Sequence, residues 1–367
     1  MLSLAGGLPA PTSLDAERVR RAADAALDRM GTLGPTALQY GPTEGIDELR
    51  ALVAERHGVG LDQVLITTGS QQGIDLLART LCDAGDVAVV EAPSYLGALQ
   101  SLAAAEVRVE AIEGDDAGID VERLAGALRA GLDPQLVYVV PNFHNPTGSV
   151  LSLERRVALC ELSAAHGFFV IEDDPYGELR FAGAAVPSVR DSAPGTGHVI
   201  RLGSASKILA PGLRVGWMVG PAAVIDAATR LKQAADLHTP SLTQLIVATL
   251  LRDETRQAAH LDDVRALYRE RSAALHTALA AHLGDHVAVR PTTGGMFVWA
   301  TATDGTDTHV LFDRAIEHGV AYVPGSAFSL DGGAFRDAMR LSFATLAPEQ
   351  LDVAVARLAA AWTAPER

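Results

Sequence analysis

Lysine is nearly missing from this chain. Of its 30 basic residues only Lys207 and Lys232 are lysines, and the other cations are arginines. Surface charge is therefore carried by arginine, so a lysine among small or apolar residues is more informative than usual. Basic charge is also short overall: 45 carboxylates leave a formal net charge of −15, which argues against nucleic-acid or anionic-membrane partners, since both bind basic patches. Cysteine is reduced to Cys82 and Cys160, far apart and at no metal-ligand spacing. There is thus no disulfide framework and no thiolate metal site, which suits a reducing cytoplasm. Cys160 shares a helical stripe with Leu153, Val157 and Ala164 and reads as a small core residue. No run of about 18 uncharged apolar residues stands out as a membrane span. The opening MLSLAGGLPAPT lacks the charged start and apolar run of a signal peptide. The expectation is a soluble, cytoplasmic protein.

What is present is a globular composition, 48% hydrophobic and 20% charged over 367 residues, long enough for a large domain and a smaller one. Apolar positions at three- and four-residue spacing predict helices over residues 13–30 and 46–57. Seven short apolar strands then alternate with helices or loops, at Val64–Thr67, Val87–Glu91, Val107–Ile112, Leu136–Val140, Phe168–Glu172, Val199–Leu202 and Val215–Val219. This alternation indicates an α/β domain whose mostly parallel sheet is covered on both faces. Ligands of such sheets sit beyond the carboxyl ends of the strands. Ser152 and Gly167 read as the start and stop of a helix between them. A long Arg-rich helical segment through Asp253–Leu283, strands at Gly294–Trp299 and Met339–Phe343, and a terminal helix form a smaller α+β domain. The expected division is an N-terminal segment, residues 1–35, folded back onto the small domain, a large domain over 36–250 and the small domain over 251–367.

Four polar segments follow predicted strands and so share one edge of the sheet. Thr67-Thr68-Gly69-Ser70-Gln71 runs through a glycine into a helix start, where free amides and the helix dipole favour a phosphate. By itself this is also an ordinary turn. Asn142-Phe143-His144-Asn145-Pro146-Thr147-Gly148 reads equally as a polar turn. Glu172-Asp173-Asp174-Pro175-Tyr176 places carboxylates where a cationic ligand atom could be paired, or forms a solvated loop. Gly203-Ser204-Ala205-Ser206-Lys207, followed by Arg214, sets two hydroxyls and an arginine beside an amine, or is a serine-rich surface loop.

Taken together, these segments resemble the class I/II aminotransferases of pyridoxal 5′-phosphate (PLP) fold type I, in the subgroup of 2-aminoadipate and aromatic amino-acid aminotransferases and the MocR-type regulators. The resemblance spans nearly the whole chain, from Ala5-Gly6-Gly7-Leu8-Pro9 through Tyr40-Gly41-Pro42, Asn145-Pro146-Thr147-Gly148 and Ser204-Ala205-Ser206-Lys207 to Arg340-Leu341-Ser342-Phe343. It implies a large domain with a mostly parallel seven-stranded sheet, a smaller α+β domain, PLP as cofactor and an amino acid and a 2-oxo acid as substrates. By the same resemblance Lys207 binds the cofactor covalently and then carries protons, which requires a lowered pKa. Asp173 pairs with the pyridine nitrogen and keeps the ring an electron sink. Tyr176 and Asn145 bond the ring's phenolate oxygen, and Tyr95 stacks on the ring or, failing that, packs in the core. The backbone at Ser70 and Gln71, with Ser204, Ser206 and Arg214, holds the phosphate. Tyr40 reaches the phosphate of a neighbouring subunit, which implies a homodimer with shared active sites. Arg340 grips the substrate carboxylate, with Asn145 and Gly7 beside it; an arginine in an apolar strand otherwise makes little sense. Glu172 and Asp174 are read as loop charges or helpers, and His144 and His238 receive no chemical role.

Two departures matter. Relatives carry further residues ahead of the Gly6-Gly7-Leu8-Pro9 segment, often a helix near the substrate side chain, so their side-chain preference does not transfer. The acidic balance also leads us to expect no winged-helix DNA-binding module of the kind the regulators carry. Ala205 also stands where many relatives have phenylalanine. The scaffold by itself would equally serve a PLP-dependent decarboxylase, lyase, cyclase or oxidase, and a non-catalytic binding protein is the alternative of another class.

Overall fold

The computed structural model describes residues 1–31, 34–192 and 197–364. Eight strands form the main sheet: β1 (Val64–Thr67), β2 (Val87–Ala92), β3 (Arg108–Asp115), β4 (Gly118–Ile119), β5 (Leu136–Val139), β6 (Phe169–Asp173), β7 (Val199–Ser204) and β8 (Gly216–Val219). Their spatial order is β1-β8-β7-β6-β5-β2-β3-β4. Seven were expected; the eighth is the two-residue β4, hooked antiparallel onto the end of β3. β7, β6, β5, β2 and β3 run parallel, and β8 is antiparallel to both β7 and β1.

Continuous burial along β1, β5 and β8 explains why these strands read as apolar runs rather than alternations: helices cover both faces of a parallel sheet. Val89, Val137 and Val170 pack to one side, with Leu159 and Cys160. Ala88, Tyr138 and Ile171 point to the other, into a core shared with the smaller sheet. Near the far edge β3 is mostly exposed and carries Arg108, Glu110, Glu113 and Asp115, charges that discourage pairing with another chain. The helix Leu153–His166 begins where Ser152 accepts from the Arg155 amide at 3.2 Å and ends at Gly167 with φ 83°.

The second sheet orders β9 (Val287–Val289), β10 (Phe297–Ala302), β12 (Ala338–Ser342) and β11 (Val323–Pro324), all antiparallel. β10 starts three residues later than expected. Gly294 and Gly295 instead admit the Phe143 side chain: a Cβ on Gly294 would strike its ring at 2.2 Å and one on Gly295 its Cβ at 2.5 Å, and Gly295 has φ 71°. The 30-residue helix Glu254–Leu283 packs on the terminal helix Pro348–Thr363.

The N-terminal segment divides its contacts. Leu2–Ser3 pair with Val320–Ala321, Leu4 accepts from the Ser342 amide, and Ala10 donates to Tyr268. The helix Ala16–Leu27, by contrast, lies on Ser241–Arg252, where buried Arg18 donates to the Leu250 carbonyl at 2.8 Å. No helix among the described residues is long and apolar enough to cross a membrane.

Candidate active site

Strand direction assembles the site. β1, β2, β5, β6 and β7 all point their carboxyl ends to one edge, bringing Ser70, Tyr95, Asn145, Asp173 and Lys207 there. Arg214 precedes β8, which runs the other way, so the start of that strand lies at the same edge. Twelve of the thirteen expected site residues line one cavity of about 310 Å³: Gly7, Ser70, Gln71, Tyr95, Asn145, Asp173, Tyr176, Ser204, Ser206, Lys207, Arg214 and Arg340. Tyr40 lies outside it, 78% exposed and edge-on to His238. A larger cleft of about 900 Å³ is lined by Glu113, Trp299 and an Arg290–Asp116 ion pair but contains no lysine, so size does not select the site.

Lys207 Nζ donates to the Gly7 carbonyl at 2.8 Å. Burial first, then Arg214 and Arg340, bring its pKa down to about 8. Asp173 is buried at the end of β6. It shares a face with Ile171, whose registered partner on β5 is Tyr138. The diagonal neighbour is within reach of a long side chain, and Tyr138 donates to Asp173 Oδ2 at 2.8 Å. Oδ1 is buried without a hydrogen-bond partner among the described residues. Burial pushes the carboxyl up to about 7, against the Tyr138 bond and with help from Asp174.

Asn145 and Tyr176 face the same space. Asn145 Nδ2 donates to the Tyr176 hydroxyl at 3.5 Å, and burial holds that phenol well above its ordinary range. Asn145 Oδ1 accepts from Arg340 at 2.7 Å. Arg340, in the middle of β12, also donates to the Ala5 carbonyl at 2.5 Å and lies over Phe297 and Phe328, 4.2 and 5.1 Å from their centroids. Its Nε has no hydrogen-bond partner among the described residues, and burial lowers its pKa to about 10. The cost of burying this cation is met by carbonyl acceptors and aromatic faces.

The other end of the cavity is a turn. Gly69 has φ 86°, and a Cβ there would come within 2.7 Å of the Arg214 guanidinium. Glycine lets the arginine approach the first amides of the helix Ser70–Leu81, which lack intrahelical acceptors. Ser204 Oγ accepts from the Ser206 amide at 3.1 Å. The Gln71 side chain turns away, donating to Gly97 and Ser101 and accepting from Tyr95, so its contribution is its amide.

Four features lay outside the sequence reading. Tyr138 holds Asp173; the available signal was a tyrosine in a buried strand, whose hydroxyl needs a partner. Phe297, Phe328 and the Ala5 carbonyl surround Arg340, and nothing local announced them. Glu172 and Asp174 are not solvated loop charges. Glu172 is fully buried, accepts from the Val189 and Arg190 amides, and burial raises its pKa. Asp174 pairs with Arg201 at 2.8 Å. His144 is buried between Glu91 and Thr147. No group of three or more His, Cys, Asp or Glu among the described residues could hold a metal ion.

The residues fit PLP on the chemistry of the donors present: an amine with a lowered pKa, an unpartnered buried carboxylate oxygen for a ring N–H, and amides with an arginine for a phosphate. Comparison with known proteins agrees. The family model for aminotransferase class I and II matches residues 7–358. The chain is 41% identical to a 2-aminoadipate transaminase of Thermus thermophilus, over 98% of this chain and 89% of that one. It is 37% identical to an aromatic-amino-acid aminotransferase of Thermococcus litoralis, over 98% and 87%. Among solved structures, the α-aminoadipate aminotransferase of T. thermophilus with bound N-(5′-phosphopyridoxyl)-L-leucine superposes with a TM-score of 0.92 at 41% identity, covering 98% of this chain and 92% of that one. A kynurenine aminotransferase of Pyrococcus horikoshii gives a TM-score of 0.92 at 38% identity, covering 98% and 90%.

Proposed function

Because the chain belongs to the class I and II aminotransferases, enzymes that transfer amino groups with PLP, we propose that the cavity around Lys207 is where it performs that transfer. When bound, PLP supplies an aldehyde that takes up the amino group and a ring that withdraws the electrons released at the amino acid's Cα. Lys207 is the covalent attachment point. With its pKa near 8, a useful fraction of Nζ is unprotonated at neutral pH, so it can take the proton from Cα and return it. Asp173 offers Oδ1 to the ring nitrogen, and Tyr138 keeps that carboxylate oriented. Asn145 and Tyr176 donate to the ring's phenolate oxygen, and Tyr95 stacks on the ring. The amides of Ser70 and Gln71, with Ser204, Ser206 and Arg214, hold the phosphate. Arg340 exchanges its Ala5 acceptor for the substrate carboxylate, with Asn145 and Gly7 beside it.

The donor is an L-amino acid, the class of substrate named for the relatives, and the acceptor a 2-oxo acid, for which we propose 2-oxoglutarate in a ping-pong cycle. We also propose a homodimer in which Tyr40 completes the neighbour's phosphate site. Leu8, Met30, Leu38 and Tyr40 are large apolar side chains left exposed in the first 40 residues, as an interface requires. The division into residues 36–250 and 251–367 belongs to the same proposal, with the N-terminal segment shared between the two. A cytoplasmic location belongs to the same proposal, on the sequence pattern of two cysteines, Cys82 and Cys160, at no disulfide or metal spacing.

The observation that carries the reading is the convergence of Lys207, the unpartnered Asp173 oxygen and Arg340 on one cavity. Borohydride reduction of the PLP-loaded protein, followed by peptide mass analysis, tests it. The cofactor mass is expected on the Lys207 peptide and absent from Lys207→Ala. With two lysines in the chain the readout is unambiguous, and label on Lys232 alone would defeat the assignment.

A further inference from the structure

Lys232, the chain's other lysine, has no part in the roles above. It lies in the last turn of the helix Ala222–Ala235 with its side chain fully buried, and donates to Asp236 Oδ1 at 2.6 Å. The second Asp236 oxygen accepts from Thr68 Oγ1 at 2.9 Å and from Gln72 Nε2 at 2.7 Å. Gln72 in turn accepts from the Thr68 amide at 2.8 Å, and the Thr68 carbonyl accepts from Arg214 at 3.2 Å. Thr68 and Gln72 bracket Gly69-Ser70-Gln71, the turn assigned to the phosphate. One carboxylate therefore ties down both flanks of the turn and, through Thr68, the arginine beside it.

A carboxylate is an awkward clamp at this place. It stands next to the seat of a phosphate carrying nearly two negative charges, and like charges at short range oppose binding. Burying an ammonium is also costly, and a helix packed on the sheet could have placed leucine or methionine at this position more cheaply. The pair makes sense as a unit: the ammonium cancels the charge of the carboxylate at Oδ1 while leaving Oδ2 free to hold Thr68 and Gln72.

We propose that Lys232 is a positioning residue for the cofactor phosphate, neutralising Asp236 so that Asp236 can lock the Thr68–Gln72 turn and Arg214 without repelling the phosphate. This rests on assigning the phosphate to the Ser70–Arg214 end of the cavity.

The test compares PLP with pyridoxal, which lacks the phosphate, by absorbance titration of the cofactor-free protein. Lys232→Met weakens PLP on the order of 10–100-fold, the range for loss of an ionic supporting partner, and changes pyridoxal affinity by less than about threefold, because pyridoxal meets no charge conflict. The double variant Lys232→Met/Asp236→Asn recovers most of the PLP affinity, since no uncompensated carboxylate remains. If Lys232→Met does not fold, Lys232→Gln carries the same comparison. Equal losses for PLP and pyridoxal, an unchanged PLP affinity, or a double variant no better than the single one would each overturn the proposal. Arg214→Ala separates the two levels: if it fails to weaken PLP relative to pyridoxal, the phosphate assignment is at fault.

Discussion

At the deep end of the cavity Asp173 is 3% exposed and its carboxyl is pushed up to about 7, whereas at the other end Arg214 reaches solvent and the anion seat is made of main-chain amides. The deep end consists of buried side chains, Asp173 and Arg340 on strands and Tyr176 on the turn after β6, and burial shifts their protonation: Asp173 up, Arg340 down to about 10, the Tyr176 phenol up. The end proposed for the phosphate offers groups with fixed partial or full charge, which need no tuning and tolerate water. The two ends divide the labour. On the proposed roles, chemistry is controlled where water is excluded, and affinity is supplied where a charged handle enters.

Four substitutions can break or sharpen this contrast. The largest effect is expected for Asp173→Asn, which removes the charge facing the ring nitrogen. Single-turnover rates should fall roughly 10²–10³-fold, the range for losing one preorganised electrostatic partner, with PLP affinity falling far less. Arg340→Ala should raise KM for every amino acid by about 10–10³-fold, as expected when one partner of a buried charged contact is lost, while the absorbance of bound PLP stays unchanged. A KM change limited to some amino acids would move Arg340 from carboxylate to side-chain recognition. Arg214→Ala should weaken PLP by about tenfold, a typical worth of a charge-assisted hydrogen bond, and leave kcat at saturating PLP nearly intact. A large kcat loss there would erase the contrast between the two ends.

The smallest expected effect is also the most diagnostic. Tyr138→Phe deletes a bond to the ionised form of Asp173, so the carboxyl protonates more readily and its pKa rises. The acidic limb of the rate–pH profile should therefore move to higher pH, with a loss of about three- to tenfold on the plateau. A profile displaced to lower pH, or not displaced at all, would remove Tyr138 from the site.

How much of this was legible in the chain differs residue by residue. Ser204, Ser206 and Lys207 could be read directly because their chemistry is contiguous and lies among small residues. Arg340 could be read because an arginine inside an apolar strand demands a partner. Tyr138 could not, because its partner is 35 residues away on the neighbouring strand and only the β5–β6 register brings them together. Glu172 and Asp174 could be read only as loop charges or helpers, because the sequence does not show that the Val189–Arg190 amides and Arg201 fold over them. The glycines at 294 and 295 looked like the start of a strand, yet they make room for a phenylalanine some 150 positions earlier.

The sequence by itself determined the order of strands and helices and which polar residues stand at the strand ends, because periodicity and turn chemistry are local properties. Only the tertiary structure decided the protonation of the site, with Lys207 near 8 and Asp173 near 7. Those values arise from burial and from charges contributed by distant segments, and desolvation has no meaning for a residue until the rest of the chain has closed around it.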